Sequence, residues 1–427
     1  MLQPDQLIVH QPMERLTVPL SLDWPERERN CTAENLRFSV TSDLNAIENE
    51  WRKFEQRADC TPFQTFDWLA TWQRCIGASL GVNPTIVLGR QGGGELLFIL
   101  PLAIEQARFN RRLVFLGHAL CDYNAPLLGA EFSGVVPATG FAAWWQSIRI
   151  LLQQTAEYRH DVVVLDKMPA RVGQQANPLM SLATMANPSG AYLTHLGADW
   201  DKFYVEKRSS ATRRRDRTKR KNLAESGELR FVAAANPKDA QSALGILIDQ
   251  KSRFFARMGI ANLFARPGYS DFFLTVATKA GQLVQVSQLD VGTKCAATSL
   301  GLHFRGCYYH VLASYDDGLL ARFGPGIVHL HELMRHAIEQ GCKQFDFTIG
   351  DEPYKRDWAD TKIKLYDHIA ASCWRGEIAA AQMIFRLRVK RFIKQSRLLW
   401  PLVIQFRSLR GAIKSWINRK AAIRGGL

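Results

Sequence analysis

The sequence predicts a mixed α/β protein (α+β in its layering). It has two tandem domains, each a mixed central sheet flanked by helices, and a basic amphipathic helical tail. Three observations lead there. At 427 residues the chain exceeds what one hydrophobic core ordinarily supports. Its two halves present the same order of elements. And from Ile378 to Leu427 it carries twelve Lys or Arg and no Asp or Glu, so residues 1–377 hold only about three of the +15 excess charges. The basic character therefore belongs to the tail.

Residues 1–35 are polar and broken by prolines, and read as an extension. Leu36–Ser42 alternates like a strand, and Asp43 caps a helical pattern running to about Arg57. Phe66–Ile76 is a second helix. Strands follow at Pro84–Arg90, Glu95–Glu105 and Leu113–His118, the first two joined by Gly92-Gly93-Gly94, a hairpin turn by composition. Gly140–Tyr158 places Phe141, Trp144, Trp145, Ile148 and Leu152 on one helical face, and Asp161–Lys167 is a buried strand.

The second half repeats this order. A Lys/Arg-rich helix, 200–226, opens it; then come a strand at Leu229–Ala234, helices at Lys238–Met258 and Ser270–Ala280, and strands at Leu283–Leu289, Ala296–Phe304 and Cys307–Ala313. Gly326–Gln340 is a helix, and Gln344–Ile349 and Lys362–Ala370 are strands. The expected organisation is thus an extension 1–35, domains 36–199 and 200–377, and a tail 378–427.

Composition excludes several classes. Apolar content of 47% with 22% charged residues is that of a globular protein. Eight scattered cysteines with no C-x-x-C argue against a disulfide framework or a zinc site, and no metal is expected. Asp5, Glu14, Asp23 and Glu26 interrupt any apolar leader, and no 18-residue apolar run occurs. A cytoplasmic location is expected.

The densest chemistry lies at Asp346-Phe347-Thr348-Ile349-Gly350-Asp351-Glu352-Pro353-Tyr354-Lys355, followed by Trp358. An acid sits on a strand, the chain turns at Gly350, and a carboxylate, a phenol and an amine follow within four residues. Open α/β sheets build reaction sites past such strand ends. Asp346, Glu352, Tyr354 and Lys355 are the candidate catalytic residues, a carboxylate to take a proton and a lysine or tyrosine to stabilise developing charge. Arg322-Phe323-Gly324-Pro325-Gly326 directly precedes a helix. Glycines there admit close backbone approach, and the free N–H groups of a helix start favour phosphate. Arg322, Gly324, Pro325 and Gly326 are the candidate ligand-binding residues.

Other patterns carry less. Gly77-Ala78-Ser79-Leu80-Gly81 fits a nucleophile elbow in letters, but a helix precedes it and a strand follows, the reverse of what the elbow needs. His331 and His336 fall about 140° apart on a helix, a poor pair for one metal. His310 reads as a core or cleft histidine. The basic run 207–221 lacks interleaved aromatics and reads as a linker helix, one that could face an anionic ligand. In the tail, Phe385, Val389, Phe392 and Ile393, then Leu402, Phe406, Leu409, Ile413 and Trp416, draw apolar stripes flanked by Arg and Lys. That pattern suits an anionic membrane surface or a protein partner.

The order strand, two helices, antiparallel meander, helix, strand is that of a Gcn5-related N-acetyltransferase (GNAT) domain. The chain from about Leu36 to Arg375 resembles the CelD/BcsL family of GNAT-type acetyltransferases associated with cellulose and exopolysaccharide biosynthesis. The resemblance rests on Asp346-Phe347, Gly350 to Lys355 and Trp358. Thr61-Pro62-Phe63-Gln64 with Trp68 and Trp72, Pro101-Leu102, Phe115-Leu116-Gly117, Asp122-Tyr123, Ala296, Tyr308-Tyr309 and Gly324-Pro325-Gly326 support it. In GNAT enzymes the glycine junction holds the pyrophosphate of coenzyme A through R/Q-x-x-G-x-G/A, and here Arg322 stands one residue too close to Gly324.

The resemblance implies a tandem arrangement like that of the FemAB peptidyltransferases, with the reactive site in the second domain. It also implies an acyltransferase, N- or O-, taking acetyl-CoA or another acyl-CoA as co-substrate and a sugar or envelope precursor as acceptor, by direct attack in a ternary complex. Two other readings stay open: a FemAB-like transferase using aminoacyl-tRNA, and a non-catalytic scaffold of polysaccharide assembly held at the inner face of the membrane by its tail. No DNA partner is expected.

Overall fold

The computed structural model describes residues 31–33, 36–136, 140–396 and 399. Most of the expected extension 1–35, and the second tail stripe from Leu402 to Trp416, lie outside the described residues.

Two large sheets organise the chain. Across the first run Cys31–Ala33, Leu36–Thr41, Asn83–Gln91, Leu96–Gln106, Arg111–Phe115, Val162–Pro169, Leu365–Ala371 and Met185–Ala186. Across the second run Leu229–Ala233, Val284–Val291, Lys294–Phe304, Cys307–Tyr315, Gln344–Ile349, Ala191–His195 and Thr361–Ile363. After the Cys31–Ala33 edge strand the two orders correspond position by position. Within each sheet one neighbouring pair is parallel, and the helix between its strands, Phe141–Gln154 or Pro325–Glu339, makes the crossover that parallel pairing requires.

The sheets do not divide at one point in the chain. Ala191–His195, arriving from the first half, pairs with Gln344–Ile349 in the second sheet, and Leu365–Ala371 returns to pair with Val162–Pro169 in the first. The expected single strand Lys362–Ala370 is therefore two, Thr361–Ile363 and Leu365–Ala371, lying in different sheets. Alternation records which face of a strand is buried, and nothing in it records which sheet takes the strand.

Local chemistry accounts for the helices. Asp43 accepts from the N–H groups of Asn45 and Ala46, starting Leu44–Arg57, which buries Leu44, Ile47, Trp51 and Phe54. Asn236 caps Pro237–Arg257 in the same way, with Pro237 where its missing N–H costs nothing. The expected helix 200–226 is two, Trp200–Lys207 and Ser210–Ala224. Ser209 caps the second through the Thr212 N–H, while Arg208 takes extended backbone and lays its guanidinium 4.8 Å over the Trp358 ring. At Gly81 a left-handed residue ends a helical turn before strand Asn83–Gln91, so the Gly77–Gly81 stretch stops a helix, as its order of elements predicts.

The halves share a core. Trp68 meets Phe272 edge to face at 4.9 Å, and Phe63 meets Tyr309 at 6.3 Å. Among the described residues no helix is long and apolar enough to cross a membrane.

Candidate active site

The site begins where two parallel strands part. Cys307, Tyr308 and Tyr309 pair with Gln344, Phe345 and Asp346, and beyond Tyr309 and Asp346 the pairing ends. On its other side Gln344–Ile349 is held by Ala191–His195. Two backbone features bend the chain here. Thr348 adopts φ 58° and Gly350 φ 138°, conformations that turn the strand end sharply. In the neighbouring strand the register steps from Leu300–Leu312 to Gly301–His310, so Val311 is a bulge residue with no partner across the ladder. The Thr348 hydroxyl donates 3.1 Å to the His310 carbonyl across the opening.

Past Tyr315 the chain makes a short turn, Ala321–Phe323, reaches Gly324 in the left-handed region at φ 66°, and enters helix Pro325–Glu339. Among the described residues no side chain caps that helix start. A Cβ on Gly326 would come 3.3 Å from the Tyr315 ring, and one on Gly324 would lie 3.5 Å from the Lys219 side chain and 3.8 Å from its Nζ. Thus the linker helix Ser210–Ala224 delivers a cation to the glycine turn, while exposed Arg322 stacks on Phe323 at 4.6 Å. Uncapped N–H groups, small residues and Lys219 together make a cradle for an anionic group.

The floor is a cluster of charges drawn from both halves. Asp346 is 2% exposed, and both its oxygens accept from the Tyr123 hydroxyl, at 2.9 and 2.8 Å. It also accepts the Thr348 N–H at 2.7 Å. Burial raises its carboxyl to about 7; those two hydrogen bonds hold it down, and the Asp122 charge pushes it further up. Burial likewise raises Asp122, with Lys167 opposing. Lys355, 5% exposed, donates 2.9 Å to the Ile349 carbonyl and pairs with Glu352 at 3.1 Å. Burial lowers the Lys251 ammonium, which feels Glu352 and Lys355. Buried His310 is lowered to about 3 by burial and then by Lys355, so it is neutral and an unpromising proton carrier at neutral pH.

The predicted residues therefore fall into two groups. Glu352 and Lys355 pair directly, Asp346 lies beneath them, and Tyr354 presents its ring to Phe347 at 6.2 Å with its phenol raised by burial and the Glu352 charge. Arg322, Gly324, Pro325 and Gly326 form the separate helix-start cradle. Trp358 is 3% exposed and stacks with Phe203 and Tyr204, anchoring helix Pro353–Trp358 instead of facing the opening. Asp351 is spent on Lys362, Lys394 and the Tyr192 hydroxyl. Asp122, Tyr123 and Lys251 were not expected in the site. Tyr123 and Asp346 lie 223 residues apart, and only the Asp122-Tyr123 pair within the resemblance hinted at them.

His331 packs among Trp200, Tyr204 and Trp358 near Asp216, while His336 packs on Phe231, so the two share no ligand. Among the described residues no group of three or more His, Cys, Asp or Glu gathers to hold a metal.

Residues 210–356 match the model of the acetyltransferase (GNAT) domain. FemX aligns in structure over 75% of this chain and 96% of its own, with a TM-score of 0.53 at 11% identity. The fold is mixed α/β with a GNAT domain in its second half, and as a whole it is like that of FemX. A conserved protein of unknown function from Bacteroides thetaiotaomicron aligns over 77% of this chain and 98% of its own (TM-score 0.49, 11% identity). A tandem GNAT protein of the clavulanic acid biosynthesis pathway aligns over 79% and 99% (TM-score 0.45, 12% identity). No curated protein matches the sequence.

Proposed function

We propose that the protein transfers an acetyl or longer acyl group from a coenzyme A thioester to an amine or hydroxyl of a sugar or cell-envelope precursor. The observation that carries this reading is the parted strand pair, with an anion cradle at one end and a mixed acid–lysine cluster at the other. The resemblance to the CelD/BcsL family supports an acceptor from cellulose or exopolysaccharide assembly.

In this reading Gly324, Pro325 and Gly326, with Lys219 and Arg322, hold the donor's phosphates through free N–H groups and positive charge. The acceptor heteroatom bonds to the acyl carbon as the carbon–sulfur bond breaks, and CoA leaves as its thiolate. Glu352, the most exposed carboxylate of the cluster, takes the acceptor proton. Lys355 and Tyr354 stabilise charge developing on oxygen or sulfur. Asp346 and Tyr123, tied together beneath, fix the floor to which Lys355 is fastened.

Isothermal titration of the full chain with acetyl-CoA and longer acyl-CoAs tests the donor. Saturable binding that disappears in a Gly324→Val/Gly326→Val variant is the expected result. The exposed Arg214, Arg215, Arg217 and Lys221 of the linker helix favour a second reading, transfer from aminoacyl-tRNA. Salt-sensitive tRNA binding with no response to any CoA ester would replace the first reading by the second; no response to either would leave the scaffold.

A further inference from the structure

Helix Trp374–Gln395 has two apolar faces. Gly376, Ala379 and Ala380 are buried against the first sheet, the two alanines with Val162, Val164 and Ile369. Gly376 approaches so closely that a Cβ would fall 1.8 Å from the Asp161 carbonyl oxygen. On the opposite side Trp374, Ile378, Phe385, Val389 and Phe392 face water, with Trp374, Phe385 and Phe392 at 70%, 68% and 69% exposure. At 3.6 residues per turn these five fall within about 60° around the axis. Small residues thus fasten the helix to its own protein, and the large ones are left outward.

We propose that this outward face binds the surface of an anionic lipid bilayer. A stripe of aromatic and branched residues flanked by Arg386 on one side and Arg388 on the other matches the acyl–headgroup boundary, where rings bury and guanidinium groups meet phosphate. The charge pattern selects this occupant over two others. The chain's own stripe from Leu402 to Trp416 has no acid, and a second copy of the helix offers a single one, Glu377 in its first turn; each stripe is flanked by cations, so packing either here sets like charges side by side. Anionic headgroups neutralise them. The helix also has a fixed relation to the candidate site. Near its end Lys394 donates 2.6 Å to Ser189 and lies 3.4 Å from Asp351, the residue before Glu352. Binding through the stripe would hold the turn carrying Glu352 near the headgroups, where a lipid-borne or surface-assembled acceptor is presented. The docking itself does not depend on the identity of the donor.

Flotation of the full chain with phosphatidylcholine vesicles, with and without phosphatidylglycerol, tests the proposal. Binding is expected only with phosphatidylglycerol, falling with salt, and about tenfold weaker in a Phe385→Ser/Phe392→Ser variant that melts like wild type. Absence of binding to the anionic vesicles overturns it. So does binding the variant keeps in full, which would assign adhesion to other residues, or a salt-stable dimer that the same substitutions dissolve. Acyl-CoA titration of that variant reports separately on the donor reading.

Discussion

The two sheets follow one plan and end in different chemistry. In each, parallel pairing lasts three residues, Arg112–Val114 against Val162–Val164 and Cys307–Tyr309 against Gln344–Asp346, before the strands part. Shortly beyond, a non-glycine residue takes positive φ in each: Lys167 at 56° and Thr348 at 58°. There the likeness stops. In the first half the Lys167 ammonium donates to the His118 and Cys121 carbonyls and closes the gap. Behind it His118 sits between Glu105 and Asp166, at 3.1 and 3.6 Å. In the second half a threonine hydroxyl crosses, and the lysine comes from the next helix, held by Ile349 and Glu352. A parted strand pair is thus raw material: a lysine within it makes a strut, and a lysine beside it leaves space for a reaction.

The contrast can be broken by exchanging losses between the halves. Lys355→Met should lower thioester turnover by about 10²–10³-fold. Lys167→Met should instead cost stability, about 1–3 kcal/mol in urea unfolding, with turnover near wild type. Equal turnover losses in both would end the distinction. Glu352→Gln should reduce kcat about 100-fold while leaving the unfolding midpoint in place; wild-type kcat would remove Glu352 from the base role.

Smaller effects sharpen the comparison. Tyr123→Phe deprives both oxygens of buried Asp346 of a donor and should cost about 1–3 kcal/mol, measurable by chemical denaturation. Titration separates the halves by pH. Folded Asp346 keeps its proton up to about 7, whereas the unfolded chain releases it near 3.8, so its contribution to stability declines as pH rises between those values. The melting temperature of Asp346→Asn relative to wild type should climb across that window. His118 runs the other way: burial opposes its charge, but Asp166 and Glu105 outweigh burial and raise it to about 9 from 6.5. Its stabilisation is complete below 6.5 and lost as pH rises through 9, so the advantage of wild type over His118→Gln should shrink over that range. A pH-independent difference in either variant would contradict the assigned protonation.

Much of the fold was legible because its signals are local. The Asp43 cap, the Leu229 strand, the helix after Gly324 and the turn at Gly350 each declare themselves within a few residues. The pairing of Glu352 with Lys355 is equally local, since they are neighbours along the chain as well as in space. What escaped is non-local. Tyr123 reaches Asp346 only through the packing of two halves, and Lys251 comes into the cluster from the far end of a long helix whose pattern shows only its core face. The break at Arg208 was hidden because the residues around it favour a helix, and a capping serine inside such a run resembles an ordinary polar position.

The crossed strands also set a timetable for the growing chain. Val162–Pro169 gains its outer neighbour only when Leu365–Ala371 has been made, some two hundred residues later. At ribosomal speeds that is a wait of about 10–40 s with an unpaired, valine-rich edge. The first half is therefore born incomplete, exposed to mispairing in the interval, and neither half cut at residue 199 would carry its full set of strands.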